Sequence, residues 1–230
     1  MSPRERLRLR PTATRRGCGL LLVANTVPLV GLAVWGWSAF DVLVLYWLES
    51  AVIGLLTLPR ILLARGVGES VVASVLFGVS AYQGPGAGGP GERIGLTLGF
   101  VVMYGFLWLA HGVFLFVFPT MSFGDAAWFP GVSVATFALL VPAAGAMVLS
   151  HGVSFVVNYL AGGEFRRRSP MQATFTPLTR AVVLHYAVLV GGIAMVVYDT
   201  PLWSVVLLVV GKTVLDLVAH LAEHVPLAYR

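Results

Sequence analysis

Five ionisable residues crowd the stretch KTVLDLVAHLAEH: Lys212, Asp216, His220, Glu223 and His224. At about 100° per residue they fall within an arc of roughly 120° of a helix, with Leu, Val and Ala opposite. Upstream, isolated polar groups interrupt apolar runs: Glu49, His111, His151 with Asn158, and His185. His151, His185, Asp216 and His220 together offer three imidazoles and a carboxylate, a donor set suited to zinc, iron or manganese. Asp216 and His220 stand one turn apart and can address one ion. The same four groups can instead relay protons, or cross-link helices as a buried hydrogen-bond network.

Two patterns compete for these histidines. His220-Leu-Ala-Glu223-His224 has the form of the H-x-x-E-H zinc motif, in which glutamate is the general base. It falls at a helix end, where headgroup water also accounts for Glu223 and His224. The echo of Leu109–Val113 (LAHGV) in Leu149–Val153 (LSHGV) invites axial haem ligation. The two segments run antiparallel, so His111 and His151 are expected at different depths, and haem is the lesser option. The glycine after each histidine permits close helix approach.

The elements that must hold these groups are set by composition. Hydrophobic residues make up 58% of the 230, charged residues 11%, and the mean hydropathy is +0.88. A soluble domain needs about twice that charge. Six apolar runs approach the ~20 residues that cross a bilayer core. They cover approximately 18–36, 41–64, 94–118, 132–160, 178–198 and 202–225. The expected fold is therefore all-α, a polytopic transmembrane helical bundle in the cytoplasmic membrane, with the lipid bilayer as its partner. A basic tail, 1–17, precedes a single transmembrane domain, 18–230, interrupted by a flexible Gly/Pro-rich loop at 83–91. The first span lacks a small-x-small cleavage site and reads as a retained signal anchor.

Arginine gives the orientation. With both termini cytoplasmic, Arg60, Arg65, Arg93, Arg166, Arg167, Arg168, Arg180 and Arg230 join the basic tail on the inner side. The outer loops near Ser38, Gly124 and Asp199 hold no Lys or Arg, as the positive-inside rule requires. The net charge of +5 is thus a topology signal, and no nucleic-acid partner is expected. Residues 67–82 are apolar but short, an interfacial or re-entrant piece. A single cysteine, Cys18, excludes an internal disulfide. Trp35, Trp37, Tyr46, Trp47, Trp128 and Trp203 form an expected aromatic belt.

Counting ~1.5 Å per residue from the inner ends divides the polar groups by depth. His151, His185, Asp216 and His220 form an expected inner, metal-binding or proton-relay site. Glu49, Lys212 and His111 form an outer set in which the first two pair directly or through water. One rival reading is a small ion or solute transporter using Glu49, Lys212 and Asp216. The other is a structural membrane subunit without a ligand.

At LYWLES, Leu45 to Ser50, the chain resembles a family of archaeal and bacterial integral membrane proteins catalogued as domain of unknown function 6498. Its Tyr-Trp-x-Glu motif matches Tyr46, Trp47 and Glu49, and its Asp/His-bearing last span matches Asp216 and His220. The resemblance implies a multi-span membrane protein and brings no activity or substrate.

Overall fold

The computed structural model describes residues 26–69, 82–83, 88–117, 134–178, 181–182, 185, 206 and 209–214. Two units emerge, Met1–Val42 with Ala187–Arg230, and Leu43–Tyr186. In the first, helix α1 (26–34) ends where Gly36 takes a left-handed φ of 68°. That turn lets the Trp37 N–H bond the Gly31 carbonyl at 3.0 Å. The indole then lies where a side chain on Gly31 would be, 2.3 Å from an ideal Cβ.

Helix α2 (Ala39–Leu63) opens on a capping box. The Ser38 N–H and hydroxyl both donate to the Asp41 carboxylate, at 2.7 and 2.8 Å, and the Asp41 N–H returns to the Ser38 hydroxyl. Helix α3 (Pro90–Phe116) begins inside the Gly/Pro-rich loop. Pro90 supplies a preset φ in the first turn, and the Gly88 N–H, at φ 81°, donates to the Glu92 carboxylate at 2.6 Å. This end of the expected flexible loop is therefore ordered, and Gly88 is buried.

Helix α4 (Val134–Ser154) continues as a π-helix over Phe155–Ala161, where the Gly162 N–H reaches five residues back to the Val157 carbonyl. A short 3₁₀ turn, Glu164–Arg166, leads to helix α5 (170–178), with 181–182 and 185 also helical. A second capping box starts α5. The Ser169 N–H donates to the Gln172 side-chain carbonyl at 3.0 Å, and the Gln172 N–H to the Ser169 hydroxyl at 3.2 Å. The fifth helix thus begins eight residues before the expected edge at 178. A last described helix, α6 (209–214), belongs to the first unit.

In the second unit α2 and α4 arrive at one end and α3 and α5 leave it. The Arg65 N–H bonds the Phe165 carbonyl at 2.7 Å, and the Gly66 N–H bonds the Arg168 carbonyl at 2.8 Å. The Tyr159 hydroxyl donates to the Arg60 carbonyl, and the Arg93 guanidinium to that of Leu62. The core joins Ile61 and Ala64 of α2 and its end to Phe100 and Tyr104 of α3 and to Ala173, Leu178 and Ala181. Gly68–Glu69 (β1) pairs antiparallel with Tyr82–Gln83 (β2), so the chain returns at Tyr82 to the place it left at Glu69. Residues 70–81, most of the segment expected to be interfacial or re-entrant, lie outside the described residues.

Helices α2 and α3 and the run Leu140–Ala161 are long and apolar enough to span a membrane. The two full helices measure roughly 37 and 40 Å at 1.5 Å per residue, against a core of ~30 Å. Val102 and Phe106 on α3 are 72% and 71% exposed, and α4 bares Val141, Val148, Leu149 and Val153. Side chains of this kind find a favourable environment in lipid. Hydroxyls within the helices bond their own preceding turn, as Thr57 does to the Ile53 carbonyl at 2.7 Å, so they need no external partner.

Candidate functional site: paired polar residues on four helices

Glu49 and His111 are placed by helix contacts nearby. Trp47 of α2 and Trp108 of α3 stack at 4.3 Å between centroids and 14° between planes. Each indole N–H donates to the other's backbone carbonyl, at 3.0 and 3.1 Å. Phe116 meets Trp47 edge-on at 5.3 Å, and a Cβ on Gly112 would come within 3.3 Å of that indole. One turn further, the Tyr104 hydroxyl donates to the Ser50 carbonyl at 2.7 Å. Gly54 is what admits the ring, since a Cβ there would lie 2.6 Å from it. These contacts fix α2 against α3 with Glu49 and His111 carried on the clamped segments.

Helix α3 brings His111 to His185. The His111 Nε2 and His185 Nδ1 atoms are 3.0 Å apart, with the rings edge-to-face at 4.4 Å and 75°. One imidazole donates and the other accepts, and a proton crosses the contact once the donor ring is protonated on its other nitrogen as well. His111 is 7% exposed. Helix α4 brings His151 to Glu49, with Nε2 3.6 Å from the carboxylate oxygen and side chains 32% and 16% exposed. That distance is an ion-pair contact rather than a hydrogen bond.

The pairing crosses the expected division by depth. His151 and His185 were expected with Asp216 and His220, and Glu49 and His111 with Lys212. The structure joins Glu49 to His151 and His111 to His185. Two physical reasons account for it. The Ser169 capping box starts α5 eight residues early, so a depth for His185 counted from 178 starts from the wrong place. The Tyr159 hydroxyl on the Arg60 carbonyl sets the register of α4 on α2, which the edges of apolar runs do not report.

The remaining expected members stand as follows. Asp216 and His220 lie outside the described residues. Lys212 is half-buried on α6, in the first unit. Among the described residues no group of three His, Cys, Asp or Glu side chains is placed to hold a metal ion. Asn158 bonds the Ser154 hydroxyl at 3.1 Å on an exposed face of the π-helix and joins neither pair. The aromatic belt is partly reassigned: Tyr46 is 2% exposed and Trp47 is stacked, while Trp35 is exposed. Of the two glycines expected to permit close helix approach, Gly112 lies against the Trp47 ring of α2, whereas a Cβ on Gly152 meets open space. Sequence reading did not find Tyr104, Trp108 or Tyr159. The capping boxes Ser38–Asp41 and Ser169–Gln172 were readable as Ser-x-x-Asp and Ser-Pro-x-Gln.

A family model described as "Family of unknown function (DUF6498)" matches residues 7–228. No curated protein and no solved structure matches the chain.

Proposed function

The chain belongs to that family of unknown function, and we propose that it is a six-span protein of the cytoplasmic membrane, both termini inside, that moves protons through paired side chains. The observation that carries the reading is the 3.0 Å contact between His185 and His111, the latter on a helix long and apolar enough to span a membrane. An imidazole pair in hydrogen-bond contact passes a proton when the donor ring takes one up on its other nitrogen, hands the shared one across, and the partner releases one from its own other nitrogen. Glu49 beside His151 supplies a second proton-accepting pair. Isolated ionisable groups cost ~2.5–3.5 kcal/mol on insertion scales, so their placement in spans is expected to serve a function. Asp216 and His220, one turn apart in the last span, extend the same chemistry. In proteoliposomes carrying a pH gradient, the wild-type chain is expected to dissipate it faster than protein-free vesicles. His111→Ala, His185→Ala and Glu49→Gln each abolish the difference. Equal rates for wild type and all three variants would refute proton transfer.

A second reading has its own support. Two ligands of a tetrahedral ion with ~2.1 Å bonds stand roughly 3.4 Å apart, close to the 3.0 Å between these ring nitrogens. His111 and His185 would then supply two of the ligands of a divalent zinc, iron or manganese ion. Equal metal content in wild-type and His185→Ala protein rules this out.

The topology rests on arginine. A cysteine at Trp128, in a background without Cys18, is expected to react with an impermeant thiol reagent applied to intact cells, and a cysteine at Arg167 is not. The reverse labelling contradicts six spans.

A further inference from the structure

The end where α2 and α4 arrive gathers arginines far apart in sequence. Arg60, Arg65, Arg93, Arg166, Arg167 and Arg168 lie in its segments, against Glu69, Glu92 and Glu164. The acids are engaged locally where their contacts are described, Glu92 by the Gly88 N–H and Glu164 by Arg168. Arg60 lies over the rings of Phe155 and Tyr159, both at 5.7 Å. Arg65, Arg166 and Arg167 are exposed. Their closeness is built by backbone. The Arg65 and Gly66 amides dock on the Phe165 and Arg168 carbonyls, and Gly66 has no room for a Cβ. Exposed apolar side chains border the same place, Leu62, Leu63 and Val67 on one segment and Val156, Val157 and Leu160 on the other.

We propose that Arg65, Arg166 and Arg167 form a seat for the phosphate of an anionic phospholipid, whose acyl chains lie on the apolar side chains of α2 and the π-helix. Guanidinium forks match phosphate oxygens two at a time. A cationic rim continuous with an apolar shelf fits a molecule that is anionic at one end and apolar at the other, and free phosphate would use only half of it. The positive-inside rule accounts for arginine on this side but not for two separate segments being locked together by main-chain bonds. The seat rests on the membrane reading and is independent of proton transfer.

The test uses the full chain in nanodiscs of phosphatidylcholine alone or mixed with phosphatidylglycerol, read by thermal melting and by lipid retained in native mass spectrometry. Phosphatidylglycerol is expected to raise the melting temperature and to be retained. Each arginine contributes roughly fivefold in affinity, so Arg65→Gln/Arg166→Gln/Arg167→Gln lowers the affinity about a hundredfold and loses most of the retained lipid. Neutralising Arg4, Arg6 and Arg8 instead, an equal charge loss in the basic tail, leaves retention unchanged. Inorganic phosphate added to the phosphatidylcholine discs does not reproduce the stabilisation. Equal retention by the triple variant and wild type overturns the seat, as does equal loss from the tail variant. If the triple variant does not fold, Arg166→Gln and Arg167→Gln are read singly, and unchanged retention in both overturns it. Failure of the wild-type chain to enter discs at all would count against the membrane reading instead.

Discussion

Gly66→Ala is expected to lower the melting temperature of the purified protein by several degrees, more than the same change at any helix glycine facing open space. A Cβ at Gly66 would lie 2.3 Å from the carbonyl carbon of Arg167 and 2.4 Å from its oxygen. Both neighbours are backbone, and the Gly66 amide is itself bonded to the Arg168 carbonyl, so no side-chain rotation relieves the overlap. The junction must open, at a cost of about 1–3 kcal/mol for forced overpacking. At roughly 2–4 °C per kcal/mol for a chain of this size, the loss is readily seen in a melting curve. Gly54→Ala meets the Tyr104 ring at 2.6 Å, a side chain that can move, and should cost less. Gly99→Ala, with nothing within 4 Å, is the control and should leave stability unchanged or raise it. Equal melting of the Gly66 and Gly99 variants would mean that the two segments do not dock.

The second large effect concerns the imidazole pair. His111→Ala or His185→Ala alone leaves a ring nitrogen without its partner inside the bundle, at about 1–3 kcal/mol for an unsatisfied buried group. The double variant removes both polar atoms, so it should lose less than the sum of the two single changes. The shortfall is expected to be about 0.5–1.7 kcal/mol, the range for coupled neighbours and membrane hydrogen bonds. His111→Ala combined with His151→Ala joins residues of different pairs, and those losses should add. Strict additivity in the His111/His185 cycle would show that the two rings do not meet.

How far the sequence foretold this differs from residue to residue. Helices α2 and α3 and the Leu140–Ala161 run were legible because long apolar stretches have one solution in lipid, a helix with all backbone groups satisfied internally. Glu49, His111, His151 and His185 stood out because ionisable groups are costly there. Which of them meet was not legible. Depth counted from the edge of an apolar run assumes that the helix begins at that edge, and the Ser169–Gln172 box starts α5 earlier. Register also depends on contacts without a periodic signature: Tyr159 on the Arg60 carbonyl, Tyr104 in the notch at Gly54, and the interlocked Trp47 and Trp108. Tyr46 and Trp47 look like interfacial aromatics in a sequence because burial by a neighbouring helix is invisible there.

The account depends on two imidazoles from separate helices sharing one proton. The chain has five histidines, so protein labelled with heavy nitrogen at histidine alone gives few ring signals. Solid-state nitrogen–nitrogen correlation in lipid is expected to show a cross peak between the Nε2 of His111 and the Nδ1 of His185, one protonated and the other not, which disappears in either alanine variant. Resolved signals for both rings with no cross peak between them, in wild-type protein, would contradict it.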